Sequence, residues 1–126
     1  MTRILAAALA AMLAANALAM LFASFWWYGA VPGVTATGAY NPHFVRDIGA
    51  AYLVTAGGLA WFAWRPVQGW PALVAGAAFL VLHAGIHVFD ASCSANPLAD
   101  VIRDLPGVYL PALLAAWLAV APKPGR

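Results

Sequence analysis

The sequence predicts an all-α integral membrane protein: one domain over residues 1–126, built as a bundle of four transmembrane helices. Three observations carry this. Hydrophobic residues make up 65% of the chain and charged residues 8%, against roughly 25% charged in soluble domains, so most of the surface cannot face water. Four apolar segments come near the length that crosses a ~30 Å hydrocarbon core. Aromatic residues cluster at both ends of those segments, the positions that Trp and Tyr take at membrane–water interfaces.

The first segment runs from about Ile4 to Tyr28. Arg3 ahead of it and Ala17-Leu18-Ala19 within it imitate a secretory leader, but the apolar run exceeds the ~7–15 residues of such a leader. A retained first helix is expected. The second segment, Pro42 to Trp64, has a defined start: Asn41 can cap it and Pro42 suits the first helical position. Arg65-Pro66 and Gly69 make a tight turn into the third, from about Trp70 to Val88. The fourth, Leu105 to Ala121, carries Pro106 and Pro111. Proline in a first turn is tolerated, but Pro111 is expected to kink the helix or mark a local break. Residues 29–41 and 89–104 form the long connections, and Asn96-Pro97 predicts a short helix ahead of the fourth span.

Charge sets the orientation. Arg3, Arg65, Lys123 and Arg126 fall at one end. Arg46 and Arg103 fall at the other, mixed with all four acids, Asp47, Asp90, Asp100 and Asp104. Basic loops stay cytoplasmic, which puts both termini inside and the long loops outside. Trp26, Trp27 and Tyr28 then mark the outer interface, and Trp61, Trp64, Trp70 and Trp117 the inner one. The net charge of +2 is too small and dispersed for a nucleic-acid surface. Cys93 is the only cysteine, so no intrachain disulfide forms and the redox compartment is not readable from it.

Arg46-Asp47-Ile48-Gly49-Ala50-Ala51-Tyr52-Leu53 aligns with Arg103-Asp104-Leu105-Pro106-Gly107-Val108-Tyr109-Leu110. Arg, Asp, Tyr and Leu match without a gap, and Asn-Pro precedes both. This suggests two repeated helical hairpins related by an axis along the membrane normal.

The stretch Trp27-Tyr28, Val31-Pro32-Gly33-Val34, Thr37-Gly38 and Asn41-Pro42-His43-Phe44-Val45-Arg46-Asp47-Ile48-Gly49 resembles small uncharacterised bacterial four-helix membrane proteins. Its Arg-Asp-x-Gly helix start is similar to the DoxX-like group. The resemblance covers about the first half of the chain and implies a four-helix fold in a bacterial inner membrane. Some DoxX-like proteins are subunits of quinone-linked oxidoreductases; no quinone motif and no catalytic residue carries over.

Polar residues gather toward the outer end: His43, Arg46, Asp47, His83, His87, Asp90, Asp100, Arg103 and Asp104. The inner two-thirds holds almost nothing ionisable, which argues against an ion path across the whole membrane. His83 and His87 are spaced i,i+4 and share a helix face, with Asp90 on that face if the helix continues. His43 and Asp47 repeat the spacing on the second helix. One reading is a metal site, with His83 and His87 as first ligands and His43, Asp47 or Asp90 completing it; imidazole suits Zn, Cu or Fe. Haem or another cofactor is a further reading. The other is a structural network in which Arg46, Asp47, Arg103 and Asp104 pair with the histidines and fix helix register. Tyr52 and Tyr109 are expected to bond across helices through their hydroxyls. Gly49, Gly57, Gly58 and Gly76 are expected to admit close helix approach.

No catalytic residues stand out, and an enzyme is not favoured. The favoured function is an accessory or assembly subunit of a larger membrane complex, in contact with lipid and with other membrane subunits or copies of itself. A metal- or cofactor-binding redox protein is the alternative, and a small transporter or lipid-binding protein the third.

Overall fold

A computed structural model describes residues 1–121; Lys123 and Arg126, which entered the orientation argument, lie outside the described residues. Every regular element described is helical. The order is α1 (Thr2–Phe22), α2 (Ser24–Ala30), a 3-10 turn (Val34–Thr37), α3 (Pro42–Trp64), α4 (Pro66–Ser92), α5 (Pro97–Asp104), a π-helical turn (Leu105–Tyr109) and α6 (Leu110–Val120).

Among the described residues, three helical stretches are long and apolar enough to cross a membrane: Thr2–Phe22, Pro66–Ser92 and the run Pro97–Val120. α3 is not among them, although its 23 residues give it the length. His43, Arg46 and Asp47 load its first two turns with polar groups. Three spanning candidates rather than four therefore follow from length and composition.

The boundaries depart from expectation in three places. The first segment breaks at Ala23 (φ −131°, ψ 41°), and α2 turns aside. Asn16 and Trp27 would lie ~16 Å apart along a straight helix. The break lets the Trp27 indole N–H donate to Asn16 Oδ1 at 2.8 Å. α4 starts at Pro66 rather than Trp70, passes through Pro71 and continues to Ser92. The expected loop 89–104 is thus largely helical. α5 is amphipathic, with Leu98 and Ile102 exposed while Asp104 is buried, and such patterning stabilises a helix at a polar–apolar boundary.

Two starts follow the same Asn-Pro signal by different means. Asn41 Oδ1 accepts the backbone N–H groups of His43 and Phe44, a full cap. The Asn96 side chain caps nothing; its backbone N–H instead donates to Ser94 Oγ at 3.1 Å. The disturbance expected at Pro111 takes the form of the π turn just before it, where Leu110 N–H reaches back to Leu105 O. A proline without an N–H and with a bulky ring forces the preceding turn to open.

The helices pack in the order α1 on α3, α3 on α4 and α4 on α6, with α1 and α6 touching only briefly. Leu13, Met20, Leu59, Leu73 and Pro111 are fully buried along this row. α3 and α4 approach closely because small residues face each other. A Cβ added at Gly58 would stand 2.9 Å from Ala72 O, and one at Gly76 3.0 Å from Thr55 Cγ2. Gly49 is likewise closed in, by Met20 and Ala17, whereas Gly57 faces open space and admits no close neighbour.

One end of the row is tied by side chains that cap helix C-termini. Arg3 donates to Ala63 O at 2.8 Å and to Trp64 O at 3.2 Å, placing a cation on the free carbonyls of α3. The Arg65 guanidinium lies 4.7 Å from the centre of the Trp64 ring. Trp70 Nε1 donates to Ala119 O at 3.1 Å, tying the start of α4 to the end of α6.

Candidate functional site

The opposite end holds the histidines and the acids, and helix register decides which of them meet. Trp70 and Ala119 fix α4 against α6 at one end. His87 stands seventeen residues beyond Trp70 and Asp104 fifteen before Ala119, so the two rise ~25 and ~22 Å along antiparallel helices and arrive nearly level. His87 Nδ1 and Asp104 Oδ2 are 2.7 Å apart. Arg103 Nε donates to Asp104 Oδ1 at 2.8 Å and Nη2 to Oδ2 at 3.2 Å. Arg103 Nη1 also pairs with Asp100.

Asp104 is 9% exposed, His87 28% and Arg103 34%. The carboxylate is therefore the enclosed member, and both of its oxygens are occupied. Burial of a charge is tolerated when it is paired and hydrogen-bonded in this way. The guanidinium also rests against Gly33, whose φ of +85° and missing Cβ leave room for it; any side chain there would collide with Arg103. This contact fastens the connection between α2 and α3 to α5.

His83 sits one turn below His87, their ring centres 4.8 Å apart. It stacks on Phe79 at 5.9 Å and meets the Tyr52 ring edge-on at 5.7 Å. Tyr52 in turn meets Phe79 at 5.4 Å. Packing alone holds His83: no hydrogen bond reaches its nitrogens among the described residues.

The two residue sets singled out from sequence separate. His43 and Asp47 form their own i,i+4 pair at 3.3 Å, 87% and 62% exposed, with no bond to the His83–His87 pair. Asp90 is exposed and takes no part in the cluster. Among the described residues, no three His, Cys, Asp or Glu side chains are placed to hold a metal ion. The interhelical ligand set His83, His87, His43, Asp47 and Asp90 is therefore not assembled, because the first turns of α3 face outward. Of the expected network, Asp104 pairs with His87 and with Arg103, whereas Asp47 pairs with His43 on its own helix and Arg46 takes no part.

The expected hydroxyl bonds are also absent. Tyr52 makes ring contacts only, and Tyr109 Oη is buried with no partner among the described residues. Cys93 is exposed and free. Sequence reasoning passed over Asn16, which accepts from Trp27 and donates to Met20 Sδ at 3.4 Å. An amide alone in an apolar run needs a partner, and that need was the available signal. It also passed over Ser24 and Tyr40, whose hydroxyl oxygens are 2.7 Å apart.

No family model, curated protein or solved structure matches the chain. What the fold and site define on their own is a helical, largely apolar protein whose His87–Asp104–Arg103 cluster lies at the end remote from Arg3.

Proposed function

We propose that the chain is a small accessory subunit of a bacterial inner-membrane complex, with α3 crossing beside the three apolar spans and both termini cytoplasmic. One observation carries the reading. A shallow groove of about 660 Å³ runs between α1 and α3, lined by Ala7, Ala11, Ala14, Gly57, Ala60 and Trp64. Within a bilayer, helices gain little from hydrophobicity, and association rests on close packing at small residues. A groove with Gly57 open to it suits one transmembrane helix of a partner protein. The cluster of α4 and α5 sits elsewhere and leaves the groove free.

The test is copurification from native membranes in mild detergent. Gly57→Leu projects a side chain into the groove from a position where an added Cβ meets nothing within 4 Å. A membrane partner that copurifies with the wild-type chain and is lost from the folded Gly57→Leu chain supports the reading. A chain that runs alone from every membrane preparation overturns it. Recovery of a homo-oligomer dispersed by the same substitution would replace the partner with a second copy.

A further inference from the structure

The His83–His87 pair has a property that the accessory reading does not use. His87 is presented as metal-binding histidines are: one ring nitrogen is held by a carboxylate, leaving Nε2 free. Asp104, enclosed and pinned by Arg103 on its other oxygen, makes that presentation rigid. His83 brings a second imidazole without a hydrogen-bond partner, ~20 Å along α4 from Trp70. A polar ring at that depth is costly unless something pairs with it.

The ring spacing fits two ligands of one ion. With metal–nitrogen bonds of ~2.1 Å and ~1.1 Å more from nitrogen to ring centre, each centre lies ~3.2 Å from the ion. Two rings meeting at ~100° are then ~4.9 Å apart, as tetrahedral or tetragonal coordination requires. The observed separation is 4.8 Å. A linear two-coordinate ion would need ~6.4 Å on the same basis, a wider spacing than the one observed.

We propose that His83 and His87 form a half-site for an imidazole-binding divalent transition-metal ion of the Zn2+ or Cu2+ class. Asp104 acts as the positioning residue for His87. With no third ligand from the described residues, the remaining coordination positions take water or a donor from a partner. The proposal does not depend on the α1–α3 groove, and its probe is the metal alone.

The experiment uses the full chain with a histidine-free tag, purified in mild detergent, stripped with chelator and titrated with Cu2+. Electron paramagnetic resonance reads the number of bound imidazole nitrogens, and competition against a chelator reads affinity. The expected result is one ion per chain with a two-imidazole spectrum. His83→Ala reduces this to one imidazole, and Asp104→Asn weakens affinity by ~10–100-fold, the usual cost of losing a carboxylate behind a ligating histidine. His43→Ala leaves both readouts unchanged. Circular dichroism melts establish that each variant is folded. His83 makes no hydrogen bond, so His83→Ala keeps the test decisive if Asp104→Asn unfolds. A spectrum unaltered in folded His83→Ala, absence of a tightly held ion in the wild type, or loss of the signal in His43→Ala overturns the proposal.

Discussion

Arg46-Asp47 and Arg103-Asp104 each follow an Asn-Pro helix start, yet Asp47 is 62% exposed and Asp104 9%. Identical letters end in different environments because the helices carry them to different depths and neighbours. Arg46 and Asp47 lie in the second turn of α3, where Asp47 finds only His43 on its own helix. Arg103 and Asp104 close α5 and stand against α4, so Asp104 meets His87 across a helix interface. The residues that follow also differ. Ile48-Gly49-Ala50 continues α3 as a regular helix, whereas Leu105-Pro106-Gly107 opens into the π turn. Matching residues do not make matching sites; register against a neighbour does.

Substitutions on both sides probe that contrast. The largest effect belongs to Asp104→Ala, which strands His87 and leaves Arg103 with Asp100 alone. Removing one member of a buried pair costs ~3–5 kcal/mol, and the partial exposure of the two partners places this case at the low end, about 3 kcal/mol. Unfolding in detergent should register that loss, while Asp47→Ala stays within ~0.5 kcal/mol; equal losses would erase the distinction between the two pairs. Next comes Gly33→Ala, which forces both a left-handed backbone and a collision with Arg103, at a cost of ~1–3 kcal/mol. Gly38→Ala, at φ +139° and ψ −174° with no neighbour within 4 Å, tests backbone strain without a collision in the same melt.

Tyr109→Phe removes a buried hydroxyl that has no partner. Its expected effect is zero or a gain of up to ~1 kcal/mol, since an unsatisfied polar group is costly to enclose. A clear loss in thermal stability would mean that the hydroxyl is bonded after all. The smallest effect is that of salt. Raising ionic strength should abolish any contribution of the exposed His43–Asp47 pair, itself under ~1 kcal/mol, and leave that of His87–Asp104 nearly intact. Comparing His43→Ala and His87→Ala melts at low and high salt reads this directly.

Local chemistry made part of the fold legible. Asn41 and Pro42 fixed the start of α3, and Arg65-Pro66 fixed its end at Trp64. Pro111 announced the irregular turn before α6. The break at Ala23 was not readable, because no proline or glycine marks it and it depends on Trp27 reaching back to Asn16. α5 was foreshadowed by Asn96-Pro97, but its partner was not. Pairing His87 with Asp104 required knowing that α4 lies against α6, and spacing within one helix says nothing about which helix is its neighbour. The same ignorance grouped His43 and Asp47 with His83, though their side chains turn outward.

The length of α4 has a mechanical consequence. Its 27 residues measure ~40 Å at ~1.5 Å each, against a hydrocarbon thickness of ~30 Å. In the membrane reading, the helix either leans by ~40° or leaves its outermost turns among the lipid headgroups. The imidazole pair straddles the edge of that surplus, with His83 ~26 Å and His87 ~32 Å along the helix from Pro66. Bilayer thickness then acts as a gauge: a thin membrane lifts the two rings into the hydrated zone, and a thick one draws them under. The same chain would present a wetter or drier pair in different lipids, with no change in its own contacts.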